Sequence, residues 1–314
     1  MRRHAFSELL ERKYVFFNVE PPQCHYYCLH PSWLIATISS AHNIQRRMII
    51  RETWQSLYSD PALWTTRFVI SRAANPTWQS IIEAENQTFG DIIQLSHLEA
   101  TGHVANTVKT IEFFKHLTAS GQNREQTPVN EKSQSNEDNL TQSWSENQLR
   151  KWKFVSKIDD DSFLDARNFW IRYLMPLQDS NRTIIARTLR RPNYTHPGGQ
   201  FYTLTSDMVS LVADLHTKNP ISDAPDDVLV GRLLYEAGES WTHVDLPNPV
   251  VFNYDDKQLL EEEKAFASAD ANLEGWLHAV GPQAINPHKL KNDATYVKVA
   301  ACFNEQGVKV PRGK

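Results

Sequence analysis

Short apolar runs alternate with amphipathic stretches along most of the chain. Leu34–Ile38 is rich in β-branched and apolar residues and is closed by Ser39-Ser40, so it predicts a strand. Ile50, Trp54 and Leu57 follow at i, i+4 and i+7, the face of a helix. Arg67–Ile70 predicts a second strand, residues from about Thr77 to Gln87 a helix, and Asp91–Gln94 a third strand. Val104, Val108, Ile111 and Leu117 then mark an amphipathic helix. After a gap the pattern resumes with Lys153–Ile158 as a strand, a helix carrying Phe163, Phe169, Trp170, Tyr173 and Leu174, and Thr183–Ala186 as a strand. Gly198 and Gly199 lead into Phe201–Leu204, with Ser206 or Asp207 as the cap of the next helix. Asp226–Ala237 and about Asp293 to Phe303 complete the predicted helices. Strand–helix alternation of this kind implies an α/β fold built on a layered sheet.

Two stretches fall outside the pattern. Residues 1–32 are polar and aromatic without periodicity, and Pro21-Pro22 interrupts them, so they read as an N-terminal tail. Residues 120–149 are dominated by Ser, Gln, Asn, Glu and Lys, too polar to bury enough surface to offset ordering entropy, and read as a disordered insertion.

Composition narrows the possibilities. With 314 residues, 40% of them hydrophobic, the chain has ample material for a core without disulfides. Lys and Arg total 33 against 37 for Asp and Glu, a formal charge of −4, which argues against a nucleic-acid partner. No apolar run approaches the roughly 20 residues of a spanning helix, and no signal-peptide core follows the basic N-terminus. Of the three cysteines, Cys24 and Cys28 form a CxxxC near His25 and His30 without a second ligand pair at zinc-finger spacing, and Cys302 reads as a core residue. Walker A, GxGxxG, HExxH and GxSxG motifs are absent.

Three features can carry chemistry. Asp159-Asp160-Asp161 stands at the C-terminal end of a predicted strand, where open α/β sheets bind ligands. A divalent cation with phosphate co-ligands would compensate this charge, and the alternative is a solvated turn with Asp161 capping the next helix. Asp226-Asp227 opens a helix, either because the helix dipole favours carboxylates there or as a second acidic site able to supply a general base. Arg47 and Arg51 share a helix face after the first strand, suited to phosphate or acidic partners or to a surface pairing with Glu52.

In order along the chain, these pieces resemble glycosyltransferase family 31, the β-1,3-galactosyltransferases. Arg46–Trp54 resembles Arg-Arg-x-x-Ile-Arg-x-Thr-Trp, and Phe89–Gln94 resembles Tyr/Phe-Gly-Asp-Ile-Ile, with Lys109-Thr110 at the place of the family's Lys-Thr. Lys157–Leu164 resembles the metal-binding Lys-x-Asp-Asp-Asp-x-Phe-Val, and Asp226–Gly231 resembles Glu-Asp-Val-Tyr-Val-Gly. The likeness spans about 33–254. Asp226 replaces the usual Glu, Leu229 replaces Tyr, and Gly198-Gly199-Gln200-Phe201 stands where the family has Gly-x-Gly-Tyr, on the acceptor side. Pro287–Lys291 is similar to the tail of fungal members.

The resemblance implies a GT-A type fold, a Rossmann-like mixed sheet flanked by helices. It places a catalytic domain at 33–260, with donor half 33–161 and acceptor half 162–260, and a C-terminal helical extension at 261–314. It implies a UDP-sugar donor, galactose first and N-acetylglucosamine second, and a glycan acceptor attacked with inversion. A non-catalytic UDP-sugar- or glycan-binding relative is the alternative. The implied roles are Asp227 as base, Asp159 and Asp161 on Mn²⁺ or a similar metal, Asp159, Asp160, Arg47 and Arg51 on the donor, and Gly198, Gly199 and Asp226 toward the acceptor. Asp255 is a further candidate ligand, and Trp54 is expected in the core. Family members are normally anchored in the Golgi, so this chain is expected to be a catalytic domain without its anchor. Sequons at Asn86, Asn139, Asn181 and Asn193 fit a secretory lumen.

Overall fold

A computed structural model of the chain describes residues 31–99, 101, 107–122, 152–254 and 280–309. Seven strands form one sheet in the order β3-β2-β1-β4-β6-β5-β7. β1 (Trp33–Ile38), β2 (Trp64–Arg72), β3 (Ile92–Glu99) and β4 (Phe154–Asp159) are parallel. β6 (Thr195–Thr205) then runs antiparallel to both β4 and β5 (Thr183–Arg190), and β7 (Thr242–Asp245) is parallel to β5. The expected α/β class, a mixed sheet flanked by helices, is borne out.

β1 is buried at every position, which explains its unbroken apolar run: a strand covered on both faces has no polar alternation. One face packs with Trp33, Trp54, Phe68, Phe169 and Phe201, so Trp54 is a core residue as expected. The other packs with Leu34, Val69, Phe113, Tyr202 and Leu229. The covering helices are α1 (Ile44–Ile50, continuing as a π-helical turn over Arg51–Gln55), α2 (Pro76–Phe89), α3 (Lys109–Gln122), α4 (Ala166–Phe169), α5 (Ser206–Lys218) and α6 (Asp226–Glu236). α2 has Pro at N1, an Asn75 cap on Thr77 N–H, and Gly90 in the left-handed conformation at its end.

Several expectations are corrected. α3 continues to Gln122, so helix overlaps the start of the expected 120–149 insertion, whose remainder lies outside the described residues. Val104, Cys24, Cys28, Asn139 and Asp255 also lie outside them. α5 is not capped by Ser206 or Asp207. Thr205 holds the N-cap position without a side-chain bond, and Asp207 Oδ2 accepts from Arg182 N–H at 2.7 Å. Gly198 and Gly199 lie within β6 rather than ahead of it. Residues 261–314 are not simply helical. Their described part contains β9 (Asn286–His288), paired in parallel with β8 (Val251–Asn253), then α7 (Asp293–Ala300) and a β10–β11 hairpin (Phe303–Asn304, Gly307–Val308). Ile285, Leu290, Tyr296, Val299, Cys302 and Phe303 enter the main core, so this segment completes the domain.

Candidate active site

The parallel strands β1 and β4 end side by side, with Ile38 opposite Asp159. The acidic triplet therefore projects from the sheet edge that α/β folds use for ligands. Its three members have different surroundings. Asp160 Oδ2 accepts from Ser39 Oγ at 2.8 Å and from Asn43 Nδ2 at 3.0 Å. Asn43 holds the N-cap position of α1 but makes no cap bond, so its amide serves Asp160 instead. Asp159 Oδ1 meets Lys157 Nζ at 2.7 Å. Asp161 Oδ1 lies 3.1 Å from His288 Nε2, which is also 3.7 Å from Asp159 Oδ2. Asp161 is not a helix cap: the following helix is capped by Asp165, through Asn168 N–H.

Backbone pairing brings His288 here from far along the chain. Phe163 N–H donates to Pro287 O, Asp165 N–H to Ile285 O and Leu290 N–H to Asp161 O, so β9 runs beside the triplet. Lys289, at φ 61°, makes the left-handed bend that turns the chain back toward Asp161. His288 Nδ1 lies 2.7 Å from Asn253 Oδ1, the residue opposite it on β8. A carboxamide oxygen only accepts, so Nδ1 carries a proton, and Nε2 is the ring atom that faces Asp159 and Asp161, able to donate to a carboxylate when protonated or to ligate a cation when not.

Ligand atoms of Asp159, Asp161 and His288 all lie within 4.8 Å of one another. Two carboxylates and an imidazole suit Mn²⁺ or a similar divalent ion, and the Asn253 contact is the outer-shell support such a histidine needs. The residues fit the expected metal. Burial pushes the Asp159 carboxyl up to about 6, with Asp226 adding to the rise and Lys157 and His288 opposing it. Burial also acts on Asp161, but the His288 hydrogen bond and the positive charges of His288, Lys291 and Arg46 hold its carboxyl below the usual value. A cleft of about 450 Å³ opens beside the triplet, lined by His42, Asn43, Arg46, Asp160, Asp161 and Lys291 among others.

The second acidic pair sits at the start of α6, joined to the first through Lys157. The Lys157 ammonium is buried, 2.7 Å from Asp159 Oδ1 and 3.4 Å from Asp226 Oδ2, and it donates to Gly199 O. Burial works against its charge, but Asp159 and Asp226 outweigh that and raise its pKa. Asp226 Oδ2 also accepts from Thr110 Oγ1 at 2.5 Å, and its Oδ1 takes the Asp227 N–H at 2.9 Å. Both Asp226 oxygens are thus engaged internally. Asp227 Oδ1 accepts from Val228 N–H at 2.8 Å, and its Oδ2 lies 3.7 Å from His196 Nδ1. A Cβ on Gly199 would stand 3.2 Å from that Oδ2, so glycine lets the strand pass close to the carboxylate.

Arg47 and Arg51 are not at this edge's surface, nor does either pair with Glu52. Arg47 is fully buried, with Nε and Nη2 on Glu85 at 2.8 and 2.6 Å and further bonds to Ser40 O and Ala41 O. Arg51 binds Asp91 through two bonds of 2.8 Å and reaches Glu85 as well. The sequence motif records this internal clamp behind the β1–α1 turn. Arg46 is the arginine beside the cleft, bonded to Leu290 O, Lys291 O and Asp293. Lys109 supports the same turn from α3, donating to Ser39 O at 2.9 Å.

Residues 45–124 match the galactosyltransferase family model. The resemblance drawn from the motifs is borne out over that segment, which carries the arginine clamp, Asp91 and Lys109-Thr110. Solved structures similar to the chain include galactosyltransferase LgtC in complex with donor and acceptor sugar analogs, at 9% identity and TM-score 0.41, covering 88% of this chain and 97% of that one. Another is the mannosyltransferase PcManGT from Pyrobaculum calidifontis in complex with GDP-Man and Mn²⁺, at 11% identity and TM-score 0.37, covering 71% and 56%. Both scores are low, and the functional reading stands on the site itself. No curated protein matches the chain. Among the described residues, no helix is long and apolar enough to cross a membrane.

His288, Asn253, Lys157 and Glu85 were not assigned roles from sequence. Lys157 stands two residues before the acidic triplet, and His288 lies inside the Pro287–Lys291 tail. Glu85 and Asn253 carried no local signal.

Proposed function

We propose that the chain is an inverting, metal-dependent glycosyltransferase that moves a hexose, galactose in the first instance, from a UDP-sugar to a glycan hydroxyl in β-1,3 linkage. The observation that carries this reading is the convergence of Asp159, Asp161 and His288 at the sheet edge, with Asp227 at the start of α6 beside Gly199 of β6. The family match of residues 45–124 supports it. Asp159, Asp161 and His288 would hold Mn²⁺ or a similar ion, which when bound offsets the charge of the departing diphosphate. The β1–α1 turn and the adjoining cleft receive the nucleotide, with Asp160 held in place by Ser39 and Asn43. Arg47 and Arg51 act indirectly, by fixing that turn through Glu85 and Asp91.

Inversion requires the acceptor hydroxyl to approach the anomeric carbon from the side opposite the leaving group, and a base to take its proton. Asp227 is that base, because Asp226 is engaged by Thr110, Lys157 and the Asp227 amide. Asp226 is therefore a positioning residue, and Gly199 keeps the space beside Asp227 open. A transfer reaction of this kind belongs in the Golgi lumen, where exposed Asn86, Asn181 and Asn193 would be open to glycosylation.

The test is UDP release from a panel of UDP-sugars with Mn²⁺ and an acceptor-glycan library. Asp227→Asn is expected to lower kcat by about 1,000-fold with Mn²⁺ binding retained. Asp161→Ala is expected to lose both Mn²⁺ binding and turnover. Full activity in both variants would overturn the mechanism.

A further inference from the structure

The strand order arranges the catalytic edge from one side to the other. β1 carries the turn that holds Asp160, β4 carries Asp159 and Asp161, and β6 brings Gly199 against Asp227. Beyond β6 comes β5. β6 is antiparallel to β4, and their last pair is Ile158 with Phe201, so Thr195–Gln200 projects past the end of β4. Thr188, Leu189 and Arg190 of β5 pair with Pro197, His196 and Thr195 there. The β5–β6 hairpin thus rises at the catalytic edge, on the side of Asp227 away from the β1–α1 turn.

This hairpin carries Arg187, Arg190 and Arg191. Arg190 and Arg191 are exposed and Arg187 is half-buried. Among the described residues no carboxylate pairs with any of the three guanidinium groups. Asp245, the acid nearest in the strand register, is engaged instead by the Thr188 N–H at 2.8 Å and by its hydroxyl. Arg187 stands on the neighbouring strand beside Gly198, where an added Cβ would lie 3.5 Å from Arg187 Cβ, while the next residue, Gly199, turns the other face of β6 to Asp227, with an added Cβ 3.2 Å from its Oδ2. The hairpin is firmly seated. Gly231 of α6 packs so closely that a Cβ there would fall 2.4 Å from Thr195 O, and Tyr194 stacks on Tyr235 at 5.6 Å.

Three unpaired guanidinium groups on a chain of net charge −4 form a local positive field. Their planar forks suit carboxylate, sulfate or phosphate oxygens. On the glycosyltransferase reading, on which this inference rests, the acceptor must lie on the side of Asp227 facing the hairpin. We infer that the acceptor is an anionic glycan, carrying a uronate, sulfate or phosphate group that Arg187, Arg190 and Arg191 bind while its hydroxyl meets Asp227.

The test compares one neutral oligosaccharide acceptor with its uronate, sulfated and phosphorylated counterparts, which also identifies the anion. Wild type is expected to favour at least one anionic acceptor by tenfold or more in kcat/KM, with the preference shrinking as salt is raised. Arg187→Ala and the pair Arg190→Ala/Arg191→Ala are each expected to raise KM for that acceptor by roughly tenfold, with kcat and donor KM little changed. Arg190→Lys should recover part of the loss, and Arg190→Glu should turn the preference toward the neutral acceptor. Equal use of neutral and charged acceptors, or Arg variants that slow both alike, would overturn the inference. If no UDP-sugar turns over, the transfer reading fails, and calorimetry with the same oligosaccharides still decides the hairpin's role. Binding of an anionic member that the triple alanine variant loses supports it, and binding that the variant keeps, or none at all, overturns it.

Discussion

Two charge clusters lie near the ends of β1 and β4, and they differ in balance. Behind the β1–α1 turn, Arg47 and Arg51 face Glu85 and Asp91, two cations against two acids with every guanidinium contact closed. At the catalytic edge, five carboxylates, Asp159, Asp160, Asp161, Asp226 and Asp227, stand against Lys157 and Lys109 within the cluster and Arg46 and Lys291 at the cleft, and the acids remain in surplus. The closed cluster cannot take a ligand without breaking an existing pair, so it holds shape. The open cluster keeps negative charge that a divalent ion and a protonated acceptor can compensate. Both are built from opposite charges, arginine with Glu85 and Asp91 in one and lysine with aspartates in the other, and the balance of partners separates scaffold from chemistry.

The largest expected effect comes from opening the closed cluster. Glu85→Ala leaves the fully buried Arg47 charge without its partner, so stability should fall by about 3–5 kcal/mol, read by denaturant unfolding. Burial pushes the Glu85 carboxyl up, but Arg47 and Arg51 outweigh that and hold it below its ordinary value. Its contribution is therefore complete above that ordinary value and disappears as pH falls through the depressed one. Acid unfolding of wild type should be steeper than that of Glu85→Gln, and parallel curves would show that the clamp contributes nothing.

A smaller effect, on rate more than on stability, is expected from removing the cation that joins the two acidic pairs. Lys157→Met should lower kcat by about 100-fold, since a shift of about 1 Å between the metal ligands and Asp227 is enough. Lys157→Arg should restore part of it. A variant that melts like wild type and keeps its kcat would show that Lys157 does not align the site.

Asn253→Leu leaves every proposed ligand in place and removes only the acceptor for His288 Nδ1–H. Mn²⁺ affinity should weaken by about 10–100-fold with the fold intact, as titration calorimetry would register.

The smallest expected effect is on pH dependence. Burial pushes Lys109 down to about 8 against the pull of Asp160 and Asp226. At Lys109 the unfolded chain holds more of the proton than the folded one between about 8 and the ordinary 10.5, so this group adds a rise in stability with pH across that window, against the opposite contribution of buried Cys302 and the buried tyrosines. In Lys109→Met that rise should be absent.

Much of the frame was legible because it depends on local pattern. β1, β2 and β4 show as apolar runs since both faces of the sheet are covered, and α6 shows its apolar stripe behind Asp226-Asp227. The C-terminal segment was harder to read. Asn286 Nδ2 donates to Phe163 O across 123 positions, a contact no window along the chain can contain. The arginine spacing placed Arg47 and Arg51 on one helix face but could not say whether that face looked inward, because an acid paired within the core is indistinguishable in sequence from one in water.

The sequence by itself determined where β1 to β6 and the main covering helices lie but not β7 to β11, that acids gather at a strand end and a helix start, and the family resemblance of the motifs. Only the tertiary structure decided that Arg47 and Arg51 close on Glu85 and Asp91, that Lys157 stands between Asp159 and Asp226, and that His288 completes the proposed metal set. The physical reason is range. Propensity and hydrophobic period act over a few residues, whereas charge pairing and ligand geometry depend on distances that packing sets between residues far apart in the chain.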